Sequence, residues 1–304
     1  MRMAMVGLGK MGANMVRRLR RDGVEVVGYN RSPQVTHALA DEVGLEPAET
    51  LGEVVAKLAP PRVVWLMVPA GAATTQSVDE LADLLEPGDV VVDGGNSNYR
   101  DSQHHGELLG RSGIAFADAG TSGGVWGLEN GYCLMVGGEA ETLAILEPAL
   151  KALAPAPDRG WAHVGPAGAG HFTKMVHNGI EYGMMQAYAE GLALLKGKAD
   201  FDLDLAQVSE LWRHGSVVQS WLLDLTADAL AGDQELADVP PYVADSGEGR
   251  WTAQEGIEQG VPTPVISLAL QMRFASQDEE GYPNRLLAMM RNAFGGHALG
   301  KNKK

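Results

Sequence analysis

Residues 1–22, MRMAMVGLGKMGANMVRRLRRD, decide how the rest of the chain is read. Met3–Val6 is a short apolar run of β type, and Asn14–Asp22 has a helical pattern. Between them Gly7, Gly9 and Gly12 stand in the order G-x-G-x-x-G. Gly7 makes the tight turn, Gly9 lets backbone approach a pyrophosphate, and Gly12 lets helix and strand pack closely. Free N–H groups at the start of the helix then face an anion. This strand, turn and helix predict a dinucleotide site built from Gly7, Leu8, Gly9, Lys10, Met11 and Gly12.

The next apolar run, Glu25–Tyr29, ends in Asn30-Arg31-Ser32. An NAD enzyme usually carries an acid there, about twenty residues beyond the glycines, for the ribose 2′-hydroxyl. A carboxylate would repel a 2′-phosphate, whereas Arg31 can pair with one, with Asn30 and Ser32 donating hydrogen bonds. The expected cofactor is therefore NADP, with NAD as the alternative.

Further out, Val63–Val68, Val90–Asp93, Ala115–Asp118, Cys133–Val136 and Trp161–Val164 alternate with helical stretches such as Ser77–Leu85. That alternation predicts parallel strands joined by crossover helices. After Pro166 the pattern changes to long helices, among them Gly170–Leu195, Leu205–His214, Trp221–Leu230 and Pro264–Phe274. The expected fold is α/β. A Rossmann-type dinucleotide-binding domain spans 1–166, with the PAGAG stretch as hinge, and an all-α domain for substrate and oligomerisation spans 167–304.

Composition narrows the function classes. The net charge of −15 over 304 residues disfavours nucleic acid and anionic membranes as partners. Cys133 is the only cysteine, so no intrachain disulfide forms and a reducing compartment fits. No apolar run approaches a membrane span, and the first residues lack a signal-peptide pattern. A cytoplasmic enzyme or binding protein is expected. The adjacent His104 and His105 read as surface residues.

The segment GHFTKMVHNGIEYGMMQ carries the chemistry. Lys174, His177, Asn178, Glu181 and Tyr182 recur at helical spacing on one face. Polar groups on such a face are expensive to bury unless they line a pocket. Met175, Ile180, Met184 and Met185 flank that face, which suggests a packed helix. A lysine in a dry or cationic site can take the proton of an alcohol as hydride leaves its carbon.

GLGKMG, WLMVPAG, DGGNSNY, DAGTSGGVWGLENG and GHFTKMVHNGIEYGMMQ follow one another in this order. Together they resemble the signatures of the 6-phosphogluconate dehydrogenases in their short form, within the wider β-hydroxyacid dehydrogenase family. KMVHNGIEY narrows the resemblance, because other members of the wider family lack the His177 and Glu181 pair. The resemblance implies oxidative decarboxylation of 6-phosphogluconate to ribulose 5-phosphate with reduction of NADP or NAD and no metal. It makes Lys174 the general base and Glu181 the general acid. Asn96, Ser122, Gly123, Gly124, His177 and Asn178 would hold the sugar acid, with Tyr182 at the phosphate. Val68, Pro69, Ala70 and Asn96 would touch the cofactor.

The same resemblance reaches the end of the chain. Arg291 stands six residues before His297, as in the tail of longer members, where such a pair reaches the phosphate in a partner's site. Arg250 in GEGRWT stands where longer members carry a lysine near the phosphate. A homodimer or homotetramer with shared sites follows as an expectation. Ala275, Ser276 and Gln277 follow Arg273-Phe274 where short relatives often carry another arginine, so either one phosphate contact is missing or Arg273 or Arg285 replaces it. Pentose phosphate flux and gluconate breakdown remain equal alternatives. Two rivals stand beside this reading. One is a β-hydroxyacid dehydrogenase for an unphosphorylated acid, and the other is a nucleotide-sensing protein without turnover.

Overall fold

Runs of β-branched residues such as Val63–Leu66 and Val90–Asp93 are buried along their whole length, as strands covered on both faces must be. The computed structural model describes residues 1–296, 298 and 299. Its strands are β1 (Arg2–Val6), β2 (Glu25–Tyr29), β3 (Glu46–Ala48), β4 (Val63–Leu66), β5 (Val90–Asp93), β6 (Ala115–Ser122), β7 (Cys133–Gly138) and β8 (Trp161–Gly165). They form one sheet in the order β3-β2-β1-β4-β5-β6-β7-β8. Around it run α1 (Lys10–Arg21), α2 (Pro33–Val43), α3 (Leu51–Ala56), α4 (Ala72–Leu84), α5 (Tyr99–Gly110), α6 (Gly127–Asn130) and α7 (Ala140–Leu153). Then come α8 (Ala169–Gly197), α9 (Leu205–Trp212), α10 (Trp221–Gly232), α11 (Glu248–Gln259), α12 (Pro264–Gln277) and α13 (Tyr282–Gly295). The α/β class, with a Rossmann-type sheet followed by helices, is as the sequence predicts.

Alternate residues of a strand serve opposite faces. Met3 and Met5 join one core with Met15, Leu19 and Trp65, while Ala4 and Val6 join the other with Val64, Leu66 and Leu109. Each fully buried side chain of this size contributes roughly 1.5–3 kcal/mol. One expectation is corrected at the sheet. β6 and β7 pair antiparallel, with Ser122 opposite Cys133, because only a 3-10 turn (Gly124–Trp126) and the single-turn α6 join them. A parallel return needs a longer crossover. β3 lacks an apolar run to announce it.

The chain divides into two compact units, Met1–Asn178 and Gly179–Lys304. The boundary expected at residues 166–167 precedes α8, whereas the units divide within that helix. Its first turns lie directly on β6 and β7. A Cβ added at Gly170 would stand 2.4 Å from the carbonyl oxygens of both Asp118 and Met135, so no larger residue fits. In the second unit Tyr182, Ala253, Ala269 and Leu270 form a small core. Asp204 and Ser220 cap α9 and α10 by accepting from the N–H groups of Gln207 and Leu223.

Two further expectations are corrected. His105 is buried, with Nε2 3.2 Å from Thr75 Oγ1, because Ser102, His105 and Leu109 share the inner face of α5. Burial lowers the pKa of its ring. Met175 is buried as predicted, but Ile180, Met184 and Met185 are exposed in the single chain.

Candidate active site

The glycine loop builds the first part of the site. Gly7 has φ +92°, which an L side chain rarely adopts, and an added Cβ would meet Met67 O at 2.4 Å. At Gly12 a Cβ would stand 2.0 Å from Gly7 O, while at Gly9 it would meet nothing within 4 Å. The first and third glycines are therefore demanded by packing, and the second borders open space. Asn30 reaches back from the end of β2, and its Oδ1 accepts from Leu8 N at 3.0 Å. The carboxamide fixes the loop's shape, while the Leu8 side chain joins the core.

A cleft of about 720 Å³ opens before this loop. Gly7, Gly9, Lys10, Met11 and Gly12 line it, with Asn30, Arg31 and Ser32 on one side and Val68, Pro69 and Asn96 on another. Ala70 is exposed and lies outside this lining. Arg31 is exposed and has neither a hydrogen bond nor an ion pair among the described residues. Gln76, Ser77 and Glu80 of α4 also line the cleft. Their residue types gave no signal in the sequence, since any amphipathic helix carries such a face.

Behind the cleft the chain turns at Asn96, whose φ of 55° is left-handed. Its amide clips onto β6, with Nδ2 donating to Thr121 O at 3.1 Å and Oδ1 accepting from Thr121 N at 2.9 Å. The next residue, Ser122, begins a polar chain. Ser122 Oγ lies 3.5 Å from His177 Nε2, His177 Nδ1 lies 3.0 Å from Asn178 Oδ1, and Lys174 Nζ donates to the same oxygen at 2.6 Å. An amide oxygen only accepts, so His177 meets it with a proton on Nδ1. Lys174 is 5% exposed. Gly123 and Gly124 follow with φ of 132° and 52°, turning the backbone out of β6 next to the serine.

Asp118, fully buried on β6, accepts from Gly168 N at 2.7 Å and His171 N at 2.6 Å. Burial pushes its carboxyl above the usual range, against the pull of His171 and these two N–H groups. Burial likewise raises the Cys133 thiol, against the pull of Lys174.

In the second unit Glu181 is half-buried, one position before Tyr182 on α8. The Tyr182 hydroxyl donates to Asp245 Oδ1 at 3.2 Å and accepts from Ser246 N at 3.2 Å. Arg250 pairs with Asp245 Oδ2 at 2.8 Å, so two of the expected phosphate ligands, Tyr182 and Arg250, already hold one carboxylate. The Arg273 guanidinium stacks on the Tyr182 ring at 3.4 Å and donates to Ala244 O. Arg291 is exposed on α13, and His297 lies outside the described residues. Among the described residues no group of three or more His, Cys, Asp or Glu could hold a metal ion.

Residues 2–165 match the family model described as the NAD binding domain of 6-phosphogluconate dehydrogenase. Residues 170–297 match the 6-phosphogluconate dehydrogenase C-terminal domain. The chain belongs to the 6-phosphogluconate dehydrogenase family. This family member is 42% identical over 302 residues to the NAD(+)-dependent decarboxylating 6-phosphogluconate dehydrogenase of Haloferax volcanii, covering 99% of each chain. It is 36% identical over 287 residues to the NADP(+)-dependent enzyme of Bacillus subtilis, covering 90% of this chain and 61% of that one. Among solved structures, Plasmodium falciparum 6-phosphogluconate dehydrogenase matches with a TM-score of 0.84 at 27% identity, over 100% of this chain and 67% of that one. That protein was solved with its cofactor NADP+ and with its substrate 6-phosphogluconate. A Mycobacterium tuberculosis 3-hydroxyisobutyrate dehydrogenase shares the fold at 23% identity and a TM-score of 0.73, covering 91% and 94% of the two chains. No helix of this 6-phosphogluconate dehydrogenase family member is long and apolar enough to cross a membrane among the described residues.

Proposed function

We propose that the protein oxidises 6-phosphogluconate and releases carbon dioxide, yielding ribulose 5-phosphate. The observation that carries this reading is the buried Lys174, bonded to Asn178 beside His177 and Ser122. A lysine amine in this place can take the proton of the C3 hydroxyl as a general base. A nicotinamide cofactor held at the glycine cleft would supply the acceptor for the hydride of C3. Protonated Lys174 then polarises the 3-keto group, which draws electrons from the breaking C1–C2 bond. Glu181, seven positions further along the same helix, protonates C1 of the enediol that remains. Ser122, Asn178 and His177 orient the sugar hydroxyls, with the backbone of Gly123 and Gly124 giving close access. Asn96, Arg250, Arg291, His297 and Tyr182 complete the proposed substrate contacts.

The proposed cofactor is NADP in preference to NAD, supported by Arg31 at the cleft, which has no ion pair among the described residues. NAD is the second reading, favoured by Glu80 in the same lining and by the NAD(+)-dependent relative. The proposed assembly is a homodimer or homotetramer, supported by exposed apolar residues of the second unit such as Val217, Trp221, Val265, Leu268 and Met289. A soluble cytoplasmic enzyme is the proposed setting. The direct test supplies 6-phosphogluconate with each cofactor, following nicotinamide absorbance and released carbon dioxide together. Reduction with accumulation of a 3-keto acid would refute the decarboxylation.

A further inference from the structure

Asp118 stands away from the polar chain, yet two features of the fold tie it to Lys174. The carboxylate lies inside β6 with no solvent exposure and accepts from the backbone N–H groups of Gly168 and His171. These are donors at the start of α8 that no earlier turn can satisfy. His171 also anchors this turn through its ring, whose Nδ1 lies 2.7 Å from the buried Ser102 Oγ of α5 and 4.0 Å from Asp118 Oδ2. The same strand then touches the lysine itself. A Cβ added at Gly120 would stand 2.5 Å from Lys174 Cβ and 2.7 Å from Gly170 O. Gly137 on β7 is as crowded, with a Cβ there 2.4 Å from Asp118 Oδ1 and 2.8 Å from Gly170 N.

These contacts leave the first turns of α8 one position along the sheet. A slide of the helix by a fraction of an ångström strains either the two short hydrogen bonds or the backbone contact at Gly120. We propose that Asp118 is a positioning residue for Lys174, setting where the amine meets the substrate's hydroxyl. The proposal rests on Lys174 being the general base. A carboxylate suits this task because it has two acceptor oxygens for two donors that diverge by three residues. An amide in its place keeps one acceptor and turns an NH2 group towards the other N–H. Small misplacements of a catalytic group have large effects on rate, because alignment sets the fraction of encounters that react.

The test compares Asp118→Asn, Lys174→Met and the unchanged protein for kcat, for KM of each substrate, for cofactor Kd and for Tm. Asp118→Asn is expected to lower kcat by about ten- to a hundredfold. Its cofactor Kd should match that of the unchanged protein, since the glycine cleft is built by other elements. Lys174→Met should be inactive with the same cofactor Kd. An inactive Lys174→Met beside an Asp118→Asn with undiminished kcat overturns the positioning role alone. An active Lys174→Met overturns the general base and the proposal together. A fall in cofactor affinity that parallels kcat shows general loosening and also overturns it. Should Asp118→Asn fail to fold, Ser102→Ala removes only the hydroxyl that holds His171. Lower kcat at unchanged cofactor Kd supports the proposal there, and unchanged kcat overturns it.

Discussion

Lys174 Nζ and Asn178 Oδ1 lie 2.6 Å apart, one turn from each other on α8. The bond fixes the side chain of a lysine that is 5% exposed. Replacing the lysine should remove chemistry and leave binding. Lys174→Met is expected to reduce nicotinamide at less than a thousandth of the normal rate, on the order of the general-base contribution. Fluorescence titration should give an unchanged cofactor Kd. Lost affinity in step with lost activity would point to a damaged fold instead.

The glycine loop separates packing from binding. Gly12→Ala places a methyl against Gly7 O, so Tm should fall and cofactor binding should fail. Gly9→Ala meets no protein atom and should fold with an unchanged Tm. Its methyl enters the space for the pyrophosphate, so KM for the cofactor should rise at least tenfold, a change of about 1.4 kcal/mol. Equal Tm losses in the two variants would show that the second glycine is also structural.

Arg31 is the test of cofactor choice. Arg31→Ala should remove a charge-assisted contact worth about 1.5–3 kcal/mol, roughly ten- to a hundredfold in kcat/KM with NADP. With NAD the change should stay small. An unchanged protein that prefers NAD would support the second reading, with Glu80 the group to replace next.

Asp89 supplies a pH dependence of stability. Burial by itself would raise its carboxyl, but the N–H groups of Glu86 and Arg62 and the Arg62 guanidinium outweigh it and hold the pKa below the usual range. A lowered folded pKa means that the stabilisation is complete above the unfolded value and is lost as pH falls through the folded one. Asp89→Asn should be less stable by about 1–3 kcal/mol at neutral pH. In denaturant titrations the gap should begin to narrow below pH 4 or so, where the unfolded carboxyl binds its proton, and close once pH has fallen below the folded value too. A gap that does not change with pH across this range would assign the loss to packing.

The shared site is checked by complementation. Lys174→Ala and Arg291→Ala proteins should each be nearly inactive alone, then be mixed and allowed to exchange subunits. If Arg291 serves a neighbouring chain, a mixed dimer holds one intact site and activity returns. Exchange without any rescue would place both groups in one chain's site.

The local parts of this protein were legible in its residues. The glycine pattern, the alternating apolar strands and the polar face of α8 each lie within one short segment, where spacing alone fixes which side chains neighbour one another. β3 was not legible, because Glu46-Pro47-Ala48 has neither apolar character nor alternation and is a strand only through pairing with β2. His105 was misread as surface for a related reason. Its burial follows from the face of α5 that packs inwards, and adjacent histidines reveal nothing about that face.

By itself the sequence determined the nucleotide loop, the α/β-then-helical plan and the line of groups from Lys174 to Tyr182, since these follow from local geometry. Only the tertiary structure decided that Asn30 braces Leu8, that Asp245 engages both Tyr182 and Arg250, and that Asp118 holds the start of α8. Asp118 and His171 are 53 positions apart. No periodicity links such residues; the folded sheet brings them together, and burial of the carboxylate then leaves those two N–H groups as its hydrogen-bond donors.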